Sequence, residues 1–353
     1  AENPVAVERD HGLQAFPRKD LNLALHHVRT ASAILIGGGG LWHDYTFAKS
    51  GGLTGIFQSP QLSMASFATL PMMGRFFNTP CHVVGMGVGP VTTPDALRML
   101  RFVAELADTI HVRDEPSLAL LNKAGVTQGK AFMAPDLVYS LPLPELPLTP
   151  ALMQSTLQAI LQLKAQGYTV VAINLRPWAP CDEGELFARL AQALQMATRS
   201  TKLAIVTIPM QNQDNLTLSK FILVLGAEVK QVELKAPLTF ETLLGALNAC
   251  DMLLSMRLHA CLVAHRLRKP VLGMAYDPKV ANHFAQIGRA HFALALDTPA
   301  TNIAATISAA LCEQGQVPVA THHTLLTLEA QAAAALNVAA RHIAVLPGSD
   351  KVF

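Results

Sequence analysis

Between Met252 and Val280 the chain spells out a strand, a helix and a second strand, with polar clusters only at the joints. Met252–Met256 and Pro270–Ala275 are short apolar runs of strand type, and residues 260–265 form the body of a helix between them. Arg257-Leu258-His259 lies between the first strand and the helix, and Tyr276-Asp277-Pro278-Lys279 follows the second strand. Both clusters thus fall at the carboxyl ends of consecutive parallel strands, where open α/β sheets bind ligands. Helix N-termini at the same place favour an anion. Two fixed cations and one imidazole around such a point make a site for a phosphorylated acid. Each residue also has an ordinary reading: Arg257 as a surface charge, His259 as a satisfied core histidine, Lys279 as a solvated helix residue. Their joint placement favours the site.

The same alternation runs through the rest of the chain. A helix over Leu21–Thr30 precedes the strand Ala33–Ile36, which runs into Gly37–Gly40. Four glycines after a strand read as a turn that either packs or lets the backbone approach a ligand closely. Pro60–Phe77 is helical in character, and His82–Pro90 is a strand ending in a second Gly-rich turn. Neither turn has the spacing of a phosphate loop or a dinucleotide fingerprint. Pro94–Leu106 is an amphipathic helix, Thr109–Val112 a strand with Arg113 at its end, and a helix follows to Ala124. Residues 1–20 carry little apolar pattern and read as a connection. Beyond residue 150 come strands at Thr169–Leu175, Leu203–Ile208 and Glu228–Leu234, each followed by a helix, and then the stretch described first. This interval of strands and helices argues for doubly wound, mostly parallel sheets. Leu141–Pro150 holds four prolines, suits neither a helix nor a central strand, and is the expected linker. The expected organisation is a Rossmann-like domain over 1–140, the linker 141–150, a second Rossmann-like domain over 151–315, and a helical segment over 316–353 that packs back on the first domain.

The bulk composition removes several function classes. With 353 residues, 51% of them hydrophobic and 15% charged, the chain can bury two ordinary cores. A net charge of +2 without a basic block argues against nucleic acid as a partner. The five cysteines are scattered without a C-x-x-C spacing, which suits buried free thiols in a reducing compartment. The polar opening lacks the apolar core of a secretory signal, and no apolar run reaches about 18 residues, so no transmembrane helix is expected. The histidine pairs at 26–27 and 322–323, and His259 with His265, have no zinc spacing, so no metal is assigned. There is no nucleophile elbow either.

Arg113, Arg176, Arg257 and Lys279 all sit at or just after strand ends. Distributed over two α/β domains, they suit a multiply charged anion, since arginine holds a carboxylate or phosphate bidentately. The structural alternatives are pairing of Arg113 with Asp114 or Glu115, and stacking of Arg176 on Trp178.

An ordered set of motifs carries a resemblance over most of the chain: Gly37–Leu41, Gly85–Pro90, Val112–Ser117, Ala134–Asp136, Leu175–Trp178, Ile208–Gln211, Ser255–Ala260 and Tyr276–Val280. The set resembles the polysaccharide pyruvyl transferase family, with greatest similarity to CsaB-type enzymes that place a pyruvate ketal on cell-wall polysaccharide. The resemblance implies a GT-B-like fold, two Rossmann-type doubly wound domains with a cleft between them. It implies phosphoenolpyruvate as donor, a sugar diol as acceptor on a cell-envelope polysaccharide or lipid-linked precursor, and no cofactor or metal. It places the work in the cytoplasm, at the inner face of the cell membrane. Carried over residue by residue, His259 is the general acid/base, and Arg257, Arg113 and Lys279 hold the donor. Arg176, Gly38, Gly39, Gly40, Gly87, Leu258, Gln211 and Asp277 are the substrate-binding candidates. Such enzymes usually open with one further strand–helix unit, which is not found in this sequence. A nucleotide-sugar glycosyltransferase or epimerase, and a catalytically silent binding homologue, are the competing readings.

Overall fold

A computed structural model describes residues 1, 3–57, 62–143, 151–313 and 316–344. Within these the chain forms two compact units, one of residues 1–140 with the described residues from Leu328 on, the other of residues 141–327. Residues 144–150 of the proline-rich stretch expected as a linker lie outside the described residues.

In the first unit Pro4–His11 (α1) and Leu21–Thr30 (α2) precede the strand Ile34–Trp42 (β1). Then follow Thr69–Phe77 (α3), Cys81–Val88 (β2), Pro94–Leu106 (α4), Thr109–Val112 (β3), Glu115–Lys123 (α5) and Ala131–Met133 (β4). The four strands pair in parallel in chain order. Three expectations need correction. Residues 1–20 are not wholly a connection, because α1 is set by Asn3 as N-cap, Pro4 at its start and Gly12 in the left-handed conformation at its end. The four glycines are not a turn either. They lie within β1, which stays paired with β2 from Ile34 to Trp42 across an irregularity after Gly39. Short-range pattern is silent there, since glycine has no side chain to alternate, and pairing with a distant strand decides. Of the helix expected over Pro60–Phe77, Met64–Ala68 is a 3₁₀ turn leading into α3, and Pro60 lies outside the described residues. The core of this unit joins β1, β2 and β3 to α4, with Trp42, Met86, Leu100 and Ile110 fully buried.

The second unit contains Ala151–Ala165 (α6), Thr169–Asn174 (β5), Glu183–Thr198 (α7), Leu203–Thr207 (β6), Asn212–Leu225 (α8), Lys230–Glu233 (β7) and Phe240–Ala249 (α9). It continues with Met252–Ser255 (β8), Leu258–Arg266 (α10), Val271–Met274 (β9), Pro278–Gln286 (α11), Ala293–Leu294 (β10) and Ala300–Leu311 (α12). Val319–Ala344 (α13) carries the division at Thr327. The six strands are all parallel, in the order β10-β9-β8-β5-β6-β7. β6 and β8 are buried along their whole length, as helices on both faces require. Chain order reverses between β5 and β8. Strands after β5 first build outward through β6 and β7, then return to its other side. Asn174 and Ser255 are partners across that junction, at the carboxyl ends of both strands.

Candidate functional site

A reversal of strand order opens a crevice at the carboxyl ends of the two strands concerned, because their connections leave in opposite directions. In the second unit this point is built from a buried polar junction. The Asn174 amide donates to the Ile208 carbonyl at 2.8 Å, and its Oδ1 lies 3.0 Å from the Ser255 hydroxyl and accepts from Arg257 N–H at 3.3 Å. Ser255 Oγ also accepts from Arg257 N–H at 3.0 Å. Asn174 and Ser255 are fully buried, so these bonds satisfy groups that water does not reach and fix where the backbone of Arg257 leaves the sheet.

The Arg257 side chain is fixed in turn. Nε donates to Asp214 Oδ2 at 2.8 Å, and Nη2 donates to Asp214 Oδ1 at 2.6 Å and to Gln211 Oε1 at 2.9 Å. Asp214 is wholly buried and also accepts from Met210 N–H at 3.0 Å and Gln211 N–H at 3.1 Å. Gln211 and Asp214 form the capping box that starts α8. Among the described residues, Arg257 Nη1 has no hydrogen-bond partner.

On the neighbouring strand ends Tyr276 joins two more cations. Its hydroxyl accepts from Arg176 Nη1 at 2.9 Å, its ring lies 4.9 Å from the Arg176 guanidinium carbon, and Lys279 Nζ lies 5.2 Å from the ring. Trp178 packs edge-on to Tyr276 and lies 5.5 Å from Arg176, so the stacking alternative for Arg176 is realised with a tyrosine added. Lys279 Nζ is 3.4 Å from Asp277, which caps α11. His259 is exposed on the first turn of α10, and Leu258 is buried at its first position, where the backbone N–H has no intrahelical acceptor. The arrangement offers three cations against two carboxylates beside a helix N-terminus, with an accessible imidazole on the same turn.

The first unit gathers Arg113, Gly40 and Gly87 differently. Arg113 is 6% exposed, donates to Asp136 at 3.1 Å and lies 3.6 Å from Asp114. The predicted pairing with Asp114 is present, with Asp136 the nearer partner. A Cβ at Gly87 would stand 2.6 Å from Arg113 Nη2, and one at Gly40 3.6 Å from it. Gly87 therefore makes room for the guanidinium. Gly38 and Gly39 have positive φ and open space over their α-carbons, which suits close backbone approach.

Sequence reading missed Asn174, Asp214, Ser255 and Tyr276 as site residues. Gln211-x-x-Asp214 has capping-box spacing, a local signal for Asp214, while Ser255 and Tyr276 open two of the motifs that carry the resemblance. Cys81, Cys250 and Cys261 are buried, and burial pushes each thiol up to about 12, away from reactive thiolate. Among the described residues, no group of three or more His, Cys, Asp or Glu could hold a metal, and no helix is long and apolar enough to cross a membrane.

Two α/β units of this kind define a GT-B-like protein, and solved structures share the fold. A putative UDP-N-acetylglucosamine 2-epimerase from Listeria monocytogenes superposes with a TM-score of 0.61 at 10% identity, over 94% of this chain and 80% of the other. S. aureus MnaA, solved with UDP, gives 0.59 at 11% identity over 97% and 86%. Anabaena Alr3699/HepE in complex with UDP gives 0.54 at 14% identity over 92% and 82%. Among curated proteins, none matches the chain by sequence. The family model for polysaccharide pyruvyl transferase matches residues 5–278, and the chain belongs to that family and is, with it, a transferase.

Proposed function

We propose that this chain moves the pyruvyl group of phosphoenolpyruvate onto two hydroxyls of one sugar, in a cell-envelope polysaccharide or its lipid-linked precursor, forming a pyruvate ketal. The observation that supports this reading is Arg257, fixed at the strand-order reversal beside the start of α10, in a chain of the pyruvyl transferase family. A donor bearing both a carboxylate and a phosphate suits the three cations there. In this reading Arg257 and Lys279 hold the donor and stabilise charge that develops on it, and Arg176 supports the same anion. His259 delivers a proton to the methylene carbon of phosphoenolpyruvate, so that C2 gains oxocarbenium character. One sugar hydroxyl adds at C2 and the second displaces phosphate from the same carbon. Of the two hydroxyl protons released, one balances the proton taken up by the methyl group and the other leaves with phosphate. The balance requires no redox partner or further cofactor. A lipid-linked acceptor would put the reaction at the inner face of the membrane.

The solved relatives that hold UDP give the competing donor its probe. The test is a thermal-shift titration with phosphoenolpyruvate and, separately, with UDP. A ligand specific to the folded state at 100 times its dissociation constant adds about 2.7 kcal/mol. Stabilisation by phosphoenolpyruvate is expected, and stabilisation by UDP alone would sink the donor assignment. His259→Ala should keep the phosphoenolpyruvate shift and lose phosphate release with a sugar acceptor by roughly 10²–10⁴-fold. Normal turnover in that variant would remove His259 from its role.

A further inference from the structure

We infer that Asp214 is a positioning residue for the donor site: its carboxylate takes the Nε–Nη2 edge of Arg257 and thereby aims the Nη1 end of that guanidinium at the ligand. This rests on the anion-donor reading above. Arginine has two edges that can meet an oxyanion in a bidentate fork, one through Nε and Nη2, the other through Nη1 and Nη2. Asp214 occupies the first completely, at 2.8 and 2.6 Å. The remaining Nη2 hydrogen goes to Gln211 Oε1 at 2.9 Å, while Nη1 has no hydrogen-bond partner among the described residues. An arriving carboxylate or phosphate can therefore meet Arg257 in a bidentate fork only end-on, with Gln211 Oε1 holding the place of one ligand oxygen. Gln211 is exposed and its Oε1 is shared with the Gln213 amide at 2.8 Å, so it has an alternative partner when displaced.

Asp214 is suited to the task. It has no exposed surface, and two backbone N–H groups at the start of α8 donate to the same Oδ2 that takes Arg257 Nε. The carboxylate is thus tied to one helix and the backbone of Arg257 to β8 and Asn174, so neither end of the pair can swing. A capping residue alone needs only the two N–H bonds. The bidentate pair with Arg257 is additional, and it is what a purely helix-starting role leaves unexplained.

The experiment compares Asp214→Asn, Arg257→Lys and the double variant in two readouts. One is phosphoenolpyruvate affinity by direct titration. The other is hydrogen exchange at the Arg257 Nε–H, followed by nitrogen-15 resonance and identified by its loss in Arg257→Lys. Asp214→Asn should weaken phosphoenolpyruvate by roughly tenfold or more and speed Nε–H exchange, yet add nothing once Arg257 is lysine. Additive losses in the double variant, or an unchanged Nε–H signal in folded Asp214→Asn, would overturn the proposal. Should Asp214→Asn fail to fold, Asp214→Glu keeps the charge, displaces it by one methylene and is read the same way. If the unaltered protein ignores phosphoenolpyruvate, the donor reading fails, and the Nε–H signal still decides whether Asp214 positions Arg257.

Discussion

Arg113 and Arg257 each follow a parallel strand, each is largely buried and each is held by carboxylate, yet their surroundings differ in sign. Arg113 stands between Asp136 and Asp114, one cation against two carboxylates, in a sheet whose strands pair in chain order. Arg257 faces Asp214 alone, and with Arg176, Lys279 and Asp277 it belongs to a cluster with a cation in excess, where strand order reverses. An arginine at a strand end is therefore not by itself an anion site. The order of strands decides whether a crevice exists, and the count of neighbouring carboxylates decides whether any charge is left for a ligand. On both counts the Arg257 cluster keeps more positive charge available for an anion than the Arg113 cluster does.

The sharpest way to break that contrast is to remove each arginine in turn. Arg257→Ala leaves Asp214 with a full charge and no exposed surface, and stripping one partner from a buried pair costs about 3 to 5 kcal/mol. Arg113→Ala leaves Asp136 and Asp114 with side chains 11% and 21% exposed, able to take up water, so the loss should be smaller. Urea unfolding of both variants measures the difference. Equal losses would mean that exposure of the abandoned carboxylate is not what sets the cost.

A second cut falls on Gly87. Its φ is not in the left-handed region, so alanine there meets no backbone penalty, only the Arg113 guanidinium at 2.6 to 2.7 Å. Overpacking of this kind costs roughly 1–3 kcal/mol. Gly87→Ala should lose that much in urea, and Gly87→Ala with Arg113→Ala should recover most of the Gly87 part. If Gly87→Ala instead left stability intact and weakened phosphoenolpyruvate, Gly87 would be a ligand contact after all.

What was legible in sequence follows from the range of the forces involved. Parallel strands covered on both faces are short apolar runs, so β3, β5, β6, β8 and β9 could be read directly, and Arg257 and Lys279 stood out because they ended such runs. The glycines of β1 could not be read, because only pairing with β2 keeps them in the strand. Nor could the partners of the cations. Asp214 lies 43 residues from Arg257 and locally looks like a helix cap, and Tyr276 meets Arg176 across 100 residues. A strand-end motif shows which charges face the ligand end of a sheet. Which of them are already spent on a carboxylate is a property of the folded chain.

Tyr276 gives the smallest expected effect and the finest probe of the cation excess. Its hydroxyl accepts from Arg176 Nη1, while its ring faces both Arg176 and Lys279. Tyr276→Phe removes the hydrogen bond and keeps the ring, so the edge-on contact with Trp178 survives. The residue is only half-buried, and a single such bond is worth about 1 kcal/mol. Unfolding should therefore shift little, and any weakening should appear as a rise of less than about tenfold in KM for phosphoenolpyruvate with kcat unchanged, the mark of uniform binding. Tyr276→Leu should do more, because Arg176 and Lys279 lose the aromatic face as well. If Tyr276→Phe lowered kcat and left KM alone, Arg176 would be acting on the transition state, and the cluster would be catalytic on both sides of the strand reversal. If neither variant changed either constant, Arg176 would be stacked for structure only, and the donor would rest on Arg257 and Lys279.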